Sequence, residues 1–470
     1  MKYTTVIGLE IHAELLTKSK VFCGCKNSFG GRVNGNCCPV CAGMPGTLPA
    51  LNKKAVELAV AAGLSFGCAV SRLTVWDRKN YFYPDLAKAY QISQLYAPVC
   101  LGGGLETGGR FIRLTRIHLE EDAGKLTHTR GGTLIDYNRA GVPLIEIVTE
   151  PDMRSADEAV EFVENVRRTL VYAGVSDGKM EQGSLRVDAN ISVMPSGTEK
   201  FGTRTEIKNL NSFKFIKKAV EFEAERQAEV LDGGGAVAQE TRRYDEASGE
   251  TFSMRSKEDA HDYRYFPDPD IPPVVISDAD VERIKNALPE TPSARLKKYA
   301  GYGLSVADAG VILENKPVSD FYDACVKAGA DPVAAANLIR GEILRRYNAS
   351  ADREQIPVAP ADIADALKLA EKSEIDGGGL KTAVGCMYLE RKPLSAVLAE
   401  KNLFVKEDLS LVSEVVKRVV SENPKAAAQY KEGDAKVLSF FIGQCARALR
   451  GGALAQTVRA ELERVLNDGD

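Results

Sequence analysis

Four cysteines near the N-terminus have the spacing of metal ligands: Cys23-x-Cys25, twelve intervening residues, and Cys38-x-x-Cys41. Each close pair can supply two corners of a tetrahedral site, and the loop between the pairs can bring the second onto the first. Because four thiolates leave no open coordination position, the pattern predicts a structural zinc ion rather than a catalytic one. Two disulfides or four unrelated buried thiols are the alternatives, and Cys37 can replace Cys38 as a ligand.

The charge balance and hydropathy of the chain exclude several classes of protein. Of the 470 residues, 61 are basic and 65 are acidic, so the net charge of −4 gives no overall attraction to nucleic acid. Any contact with RNA must therefore come from a local patch. No apolar run reaches the roughly 18–20 residues of a membrane span, and the N-terminus enters a strand pattern without a signal segment. We expect a cytoplasmic protein with neither a membrane nor a DNA partner.

The periodicity of the sequence changes near residue 290, which predicts a domain boundary. Before it, short alternating segments between glycine and proline turns predict strands, with helices at residues 52–63, 155–173 and 213–231. After it, helical periodicity dominates, and Thr291-Pro292 has the cap and first-turn proline of a helix start. The predicted domains are an α+β domain (1–290) containing the zinc knuckle (23–41), an all-α helical domain (291–404) and a small all-α tail domain (405–470).

Three predicted strands place charged and polar side chains on one face and apolar side chains on the other. In residues 6–15, Ile7, Leu9 and Ile11 alternate with polar residues, and the same alternation recurs in residues 185–193 and 203–208. For any single strand, the solvated half of an antiparallel sheet is the simpler interpretation, but three such strands favour a functional site. The polar faces carry Glu10, His12 and Glu14, then Arg186, Asp188 and Asn190, then Arg204, Glu206 and Lys208.

Two further carboxylates have sequence contexts that indicate a site. Glu146 lies within the apolar run 142–148, where an unpaired buried charge is costly, so it needs a cation or a hydrogen-bonding partner. Glu121 ends the strand-like run that begins at residue 114 and precedes a turn, where side chains commonly project into a site. Acidic groups combined with arginine and lysine suit carboxylate-bound magnesium and the phosphates of a nucleotide. We interpret His12, which shares a face with Glu10, as a metal or phosphate ligand.

Aromatic residues follow cations in residues 78–83, where Arg78 and Lys79 precede Tyr81 and Tyr83. Such a segment can stack a terminal adenosine and hold its phosphates, as single-stranded RNA or ATP would require. Packing of aromatic rings at a loop corner is an equally good interpretation. The sequence contains no phosphate-loop frame, no dinucleotide fingerprint and no Gly-x-Ser-x-Gly motif, so a nucleotide site must have another design.

The longest motifs lead to a known family. Over essentially its whole length, the chain closely resembles the B-subunit family of the bacterial aspartyl/glutamyl-tRNA(Asn/Gln) amidotransferases. Long runs of this kind are far more specific than any short motif. The resemblance is carried by residues 6–12, 77–85, 88–94, 119–125, 143–152, 183–190, 206–213 and 262–270.

The resemblance implies a fold, a reaction and partners. It implies a glutamine-synthetase-like cradle domain with a mainly antiparallel sheet, then the helical domain and the tail domain. In the family, the chain of this type uses ATP and magnesium to phosphorylate the side-chain carboxylate of Glu-tRNA(Gln) or Asp-tRNA(Asn). Ammonia from the amidase A subunit then displaces the phosphate, and a small C subunit completes a heterotrimer. The positions carried over as magnesium ligands and active-site residues are Glu10, His12, Glu121 and Glu146.

Together, the residue patterns and the resemblance define the candidate site. The candidate catalytic residues are Glu10, His12, Glu121, Glu146 and Asp188. The candidate substrate-binding or nucleotide-binding residues are Arg78, Lys79, Tyr81, Tyr83, Arg186, Arg204, Glu206 and Lys208. The expected cofactors are ATP, Mg²⁺ and a structural Zn²⁺ held by Cys23, Cys25, Cys38 and Cys41.

Two other functions fit parts of the sequence. A non-catalytic tRNA-binding adaptor would use the zinc knuckle and basic helices, but it leaves the buried Glu146 unexplained. A free-standing ligase would have to import ammonia or borrow a glutaminase, because the chain has no amidase signature. We expect the tail domain to bind the body of the tRNA through a basic surface. That surface comprises Lys417, Arg418, Lys425, Lys431, Lys436, Arg447, Arg450 and Arg459.

Overall fold

The computed structural model describes residues 2–256, 263–350, 353, 355–404, 409–431, 437–449, 453 and 455–467. The chain forms two compact units, Met1–Pro292 and Ser293–Asp470. An α+β region followed by a helical region confirms the predicted fold class. The division into three domains stays a prediction. Asp262, Lys436 and Arg450, which belong to predicted motifs, lie outside the described residues.

A large, mainly antiparallel sheet dominates the first unit. It has ten strands in the order β15-β14-β13-β12-β1-β11-β8-β6-β2, with β7 also pairing to β8. Neighbouring strands are antiparallel except β13 and β14. The strands are β1 (Tyr3–Glu14), β2 (Ala69–Val70), β3 (Leu73–Thr74), β4 (Asp77–Asn80), β5 (Tyr90–Ser93), β6 (Cys100–Leu101), β7 (Gly104–Thr107), β8 (Arg110–Glu121), β9 (Lys125–Thr129), β10 (Gly132–Asp136), β11 (Pro143–Thr149), β12 (Leu185–Pro195), β13 (Thr205–Leu210), β14 (Glu240–Asp245), β15 (Glu250–Ser256), β16 (Phe266–Pro267) and β17 (Val274–Val275).

Helices cover one face of this sheet. The helices of the first unit are α1 (Lys53–Ser65), α2 (Ala156–Tyr172), α3 (Phe213–Asp232) and α4 (Asp278–Ala287). The side chains of Asn52, Ser155 and Ser212 cap the first three helices by accepting backbone N–H groups that have no partner within the helix. These three helices match the ones predicted from periodicity.

The apolar face of β1 lies in the core between sheet and helices. Ile7 and Ile11 are fully buried there together with Phe162 of α2 and Ile216 of α3. Burial of this face provides the main stabilisation, because apolar area removed from water contributes roughly 25 cal/mol per Å². The alternate residues of β1 must therefore project from the opposite face of the sheet.

The second unit is helical. Its first helix begins at the predicted Thr291-Pro292 start, and α8 continues through a π-helical segment, Ile339–Ile343, into α9. An apolar cluster containing Val416, Phe441 and Leu462 joins α13, α15 and α16. Among the described residues, no helix is both long and apolar enough to cross a bilayer. The helices are α5 (Pro292–Gly301), α6 (Val306–Leu313), α7 (Lys316–Lys327), α8 (Pro332–Leu338), α9 (Leu344–Ala349), α10 (Pro360–Glu371), α11 (Gly377–Glu390), α12 (Leu394–Lys401), α13 (Leu409–Glu422), α14 (Pro424–Lys431), α15 (Val437–Ala448) and α16 (Ala455–Asn467).

Candidate active site

The central strands bring polar side chains together on the face of the sheet that the helices leave open. β1 pairs with β12 so that Glu10 is opposite Asp188, and with β11 so that His12 is opposite Glu146. β11 in turn places Glu146 opposite His118 of β8. Since side chains alternate along each strand, all of these residues project from the same face. The polar sides of four neighbouring strands thus form one continuous surface.

Two histidines and two glutamates form the first group on this surface, which we call the histidine–glutamate cluster (His12, His118, Glu120, Glu146). Glu146 Oε2 lies 3.3 Å from His12 Nε2 and 3.4 Å from His118 Nε2. Glu120 lies 3.8 Å from His12 Nε2 and 3.6 Å from His118 Nε2. One ligand atom each from His12, Glu120 and Glu146 lies within 4.8 Å of the other two, so these residues can hold a metal ion. Carboxylate oxygens with one imidazole nitrogen suit a hard divalent cation such as magnesium or manganese.

The charges of this cluster depend on one another. Burial opposes ionisation of Glu146, but His118 and His12 outweigh it and hold the pKa of its carboxyl well below the usual range. Burial likewise opposes protonation of His118, but Glu146 and Glu120 raise the pKa of His118 to about 9. Glu146 and Glu120 likewise raise the pKa of His12 against the effect of its burial, so both imidazoles favour the charged form beside the two carboxylates. A bound divalent cation can replace that positive charge and release a proton from His12.

Glu10, Asp188 and Glu206 form a second group, the acidic cluster, beside the first. Their carboxylate oxygens lie within 4.8 Å of one another. Lys208 Nζ donates to Asp188 at 2.8 Å and lies 2.7 Å from Glu206, while Asn190 donates to Glu10 at 3.0 Å. Burial, and then repulsion from Glu146, raise the pKa of Glu10. The two clusters are thus close enough to repel each other, and a cation bound between or beside them would relieve that repulsion.

Four residues were predicted from the cation–aromatic segment, and two of them, Lys79 and Tyr81, lie beside the histidine–glutamate cluster. Burial opposes protonation of Lys79, but Glu120 and Glu146 raise its pKa above the ordinary value. Its ammonium lies 5.9 Å from the ring centroid of Tyr81, within range of a cation–π contact. The guanidinium of Arg78 is instead bonded to Asp268 and Asp270 at 2.8 and 2.7 Å, and Tyr83 is exposed.

The structure does not bring Glu121 to the cluster. Its carboxylate accepts hydrogen bonds from Lys88 Nζ at 2.6 Å and from the backbone N–H of Ile92 at 3.0 Å. Because consecutive side chains of β8 alternate, Glu120 takes the site face and Glu121 the other. Sequence reasoning missed Glu120 and His118, although the period of two in residues 116–120 is a signal that could have identified them.

The two arginines predicted for the site have different positions. Arg186 lies on the site face of β12, opposite His12, and its guanidinium donates to Asp122 at 2.7 Å. Burial opposes its charge, but Asp122 and then Glu14 raise the pKa of Arg186. Arg204 lies one residue before β13 and is exposed, so it belongs to the loop that enters the strand rather than to the strand itself.

The four cysteines of the predicted knuckle converge. The sulfur atoms of Cys23, Cys25, Cys38 and Cys41 lie within 4.8 Å of one another and can hold a metal ion. All ten cysteines are free thiols, which does not fit the alternative of two disulfides. The backbone N–H of Cys38 donates to Cys41 Sγ at 3.1 Å, a contact that favours the thiolate. Cys37 Sγ lies 3.8 Å from Cys41 Sγ and stays an alternative ligand.

Two models of known protein families match most of this chain. The model of the GatB/GatE catalytic domain matches residues 5–282, which contain both clusters and the cysteines, and that of the GatB domain matches residues 320–466. The chain is 49% identical over 475 residues to the B subunit of the aspartyl/glutamyl-tRNA(Asn/Gln) amidotransferase of Ruminiclostridium cellulolyticum, covering 99% of this chain and 98% of the relative. Proteins of the same name from Caldicellulosiruptor saccharolyticus and Geotalea uraniireducens are 48% and 47% identical, covering 99% of this chain and 100% of each relative.

Proposed function

The chain belongs to the family of the GatB/GatE catalytic domain, and we propose that it is the ATP-dependent component of an aspartyl/glutamyl-tRNA(Asn/Gln) amidotransferase. Its reaction is the conversion of misacylated Glu-tRNA(Gln), Asp-tRNA(Asn) or both to the amidated aminoacyl-tRNA. The observation that carries the proposal is the single sheet face on which the histidine–glutamate cluster and the acidic cluster adjoin. A tRNA-binding adaptor has no need of such a face.

The reaction must activate a carboxylate before ammonia can attack it, because the carboxylate oxygen is a poor leaving group. The γ-phosphoryl group of ATP passes to a side-chain oxygen of the aminoacyl residue, giving an acyl phosphate and ADP. The lone pair of ammonia then attacks the carbonyl carbon, the bond from that carbon to the phosphate oxygen breaks, and a proton leaves the nitrogen. The products are the amide and inorganic phosphate.

The residues of the site face fit the first of these steps. His12, Glu120 and Glu146 would hold magnesium, and Glu10 with Asp188 and Glu206 offers further ligands beside them. Glu120 thereby takes the place that the family resemblance gives to Glu121. Magnesium, when bound, neutralises charge on the β- and γ-phosphates of a nucleotide.

Cations of the chain complete the site face. Lys79 and Lys208 are held at its two ends by carboxylates that keep them protonated, so they can stabilise negative charge on the transferring group. Burial opposes protonation of Lys208, but Asp188 and then Glu206 raise its pKa above the ordinary value. Arg186 lies opposite His12 on the neighbouring strand. Its hydrogen bond to Asp122 fixes the position of its guanidinium on this face of the sheet.

The rest of the chain serves assembly and substrate binding in this proposal. The relatives are each named as one lettered component of an amidotransferase, which implies a larger assembly. We assign the ammonia supply to an amidase A subunit, with a small C subunit completing a heterotrimer. Cys23, Cys25, Cys38 and Cys41 hold a structural zinc ion. The tail beyond residue 404 binds the tRNA body through its exposed lysines and arginines.

ATP hydrolysis that depends on misacylated tRNA, measured with and without the amidase partner, tests the function. We expect misacylated tRNA to stimulate ATP hydrolysis, correctly charged tRNA to have no effect, and glutamine-dependent amidation to require the partner. An adaptor would hydrolyse no ATP under any condition. A free-standing ligase would amidate the tRNA with free ammonia and gain nothing from glutamine and the partner, and either result would contradict the proposal.

A further inference from the structure

The sequence between Glu14 and Glu57 contains no acidic residue. This segment, residues 15–56, carries five lysines and one arginine, whereas the whole chain has 65 acidic residues among 470. The cysteines of the zinc knuckle (23–41) lie within it. The whole chain has a net charge of −4, so it offers nucleic acid no general attraction, and a positive segment of this length is the local patch that such a contact requires.

Hydrogen bonds join the knuckle to the β9–β10 hairpin. The backbone N–H of Asn34 donates to Asp136 Oδ1 at 3.0 Å, and the side chain of Asn34 donates to the carbonyl oxygen of Ile135 at 3.1 Å. In return, the side chain of Asn138 donates to the carbonyl oxygen of Arg32 at 2.7 Å. The knuckle and the hairpin therefore present one surface, which we call the knuckle surface (residues 18–36 and 125–138).

The knuckle surface carries five exposed cations. Among the described residues, none of their side chains takes part in an ion pair or a hydrogen bond. A zinc ion with four thiolates has a net charge of about −2, and buried Lys20, 3.5 Å from Cys41 Sγ, offsets part of it. The surface thus keeps an excess of positive charge that the chain itself does not neutralise. The five cations are Lys18, Lys26, Arg32, Lys125 and Arg130.

An aromatic ring lies among these cations. Phe29 is 75% exposed, and the chain turns directly after it, because Gly30 and Gly31 have φ angles of +78° and +95°. Residues 27–31 also form one wall of a cleft of about 620 Å³ that reaches Arg186 on the site face. An exposed ring beside unpaired cations is the combination that binds unpaired nucleotides, since the ring stacks on a base and the cations contact phosphates.

We propose that the knuckle surface binds the acceptor end of the tRNA, with its cations on backbone phosphates and Phe29 against an unpaired base near the 3′ end. This inference rests on the proposed function and adds a second RNA-binding surface to the one assigned to the tail. RNA fits this surface better than a protein partner does, because every nucleotide supplies a negative charge to a surface that has many unpaired cations and little apolar area.

Binding of an acceptor-stem minihelix with its unpaired 3′ nucleotides to the complete assembly tests the cations. Each phosphate contact contributes about 0.7–0.9 to the slope of log Kd against log salt. The double variant Lys26→Ala/Arg32→Ala should therefore lower that slope by about 1.4–1.8 and raise the Kd by about 10- to 60-fold at 0.1 M salt, with the difference shrinking toward 1 M. Lys214→Ala/Lys218→Ala is the matched control, because it removes the same charge from exposed positions of α3, which covers the other face of the sheet.

Phe29→Ala tests the stacking contact with two RNAs. It should weaken binding of the minihelix that has unpaired 3′ nucleotides by about fivefold to a hundredfold, the range that loss of one base–aromatic stack produces. Binding of a blunt minihelix without those nucleotides should change by less than about twofold, since the duplex offers Phe29 no unpaired base. An equal loss with both RNAs would show that Phe29 shapes the loop and would overturn its assignment.

Two results would overturn the inference as a whole. One is a Lys26→Ala/Arg32→Ala assembly whose Kd and salt slope for the minihelix match those of the control variant. The other is a variant chain that binds the minihelix normally but no longer assembles with the A subunit, which would assign the surface to a protein partner. Both results can occur while the wild-type assembly retains tRNA-dependent ATP hydrolysis, so the inference can fail while the proposed function stands. Absence of that hydrolysis in the wild-type assembly would contradict the proposed function itself.

Discussion

Substitution of Glu146 by glutamine should nearly abolish tRNA-dependent ATP hydrolysis while leaving the fold intact. Glu146 lies 3.3 Å from His12 and 3.4 Å from His118, so the amide keeps the shape of the side chain but removes the charge that both imidazoles face. Charge stabilisation by a catalytic metal ion is worth several kcal/mol, and each 1.36 kcal/mol changes the rate tenfold. If one of the carboxylate ligands accounts for about 3–4 kcal/mol of this, kcat should fall by about 10²–10³-fold.

The assay is ATP hydrolysis by the reconstituted assembly with misacylated tRNA, together with titration of the variant chain with Mn²⁺. We expect the affinity for Mn²⁺ to fall by at least about tenfold and the glutaminase activity of the partner to be unaffected. Glu150→Gln is the matched control, because Glu150 follows the same strand and its carboxylate accepts a hydrogen bond from Thr115 at 2.7 Å. Wild-type hydrolysis by folded Glu146→Gln protein would remove the histidine–glutamate cluster from the mechanism.

Three further changes have distinct expected outcomes. Purified, reduced protein should contain about one zinc ion per chain, and Cys38→Ser should lower the Tm more than the turnover of folded molecules; elemental analysis that finds no metal would contradict this. Burial, followed by repulsion from Asp122, raises the pKa of Glu14 from 4.5 to about 7, so ionising Glu14 costs the fold stability as the pH rises through this range. Glu14→Gln should therefore gain up to about 3 kcal/mol in unfolding free energy relative to wild type between pH 4.5 and about pH 8, and a difference that does not change with pH would refute the assignment. Removal of residues 405–470 should raise the KM for misacylated tRNA severalfold and flatten its salt dependence, whereas unchanged tRNA affinity would assign the tail to assembly or folding.

Alternation along single strands predicted much of the site face. The pattern around Glu10 and His12 placed them on one side of a strand, and the structure has them there, opposite Asp188 and Glu146. The period of a strand is a local property, so a single sequence contains it. The partner strands are not local, and the sheet order that brings β1 between β11 and β12 could not be obtained from periodicity.

Glu120 and Glu121 show a second property that the sequence pattern did not establish, which is the face of the strand that each side chain occupies. Both belong to β8, and a shift of one residue in phase exchanges the face that each side chain occupies. Glu121 was chosen because it ends the predicted run and precedes a turn, and that criterion does not establish which face of the strand a side chain occupies. Arg78 shows a related limit, because the two aspartates that bind it lie about 190 residues further along the chain. Such distant ion pairs leave no periodic signal in the sequence.

The cysteine knuckle was easier to predict because its geometry is almost entirely local. Cys23 and Cys41 are 18 positions apart, and the loop between them has few ways to bring two close pairs into one tetrahedral site. The role of the neighbouring Lys20 could not be predicted in this way. Its ammonium lies 3.5 Å from Cys41 Sγ, which favours the thiolate that a zinc ion requires.

The central claim is that this chain transfers a phosphoryl group from ATP to the side-chain carboxylate of a misacylated tRNA. Glu-tRNA(Gln) labelled with oxygen-18 in the side-chain carboxylate tests it directly. During amidation by the complete assembly, one labelled oxygen per turnover should appear in inorganic phosphate, with ADP as the other product. Phosphate without label, or label in AMP, would show that the carboxylate is not activated by phosphorylation and would contradict the account.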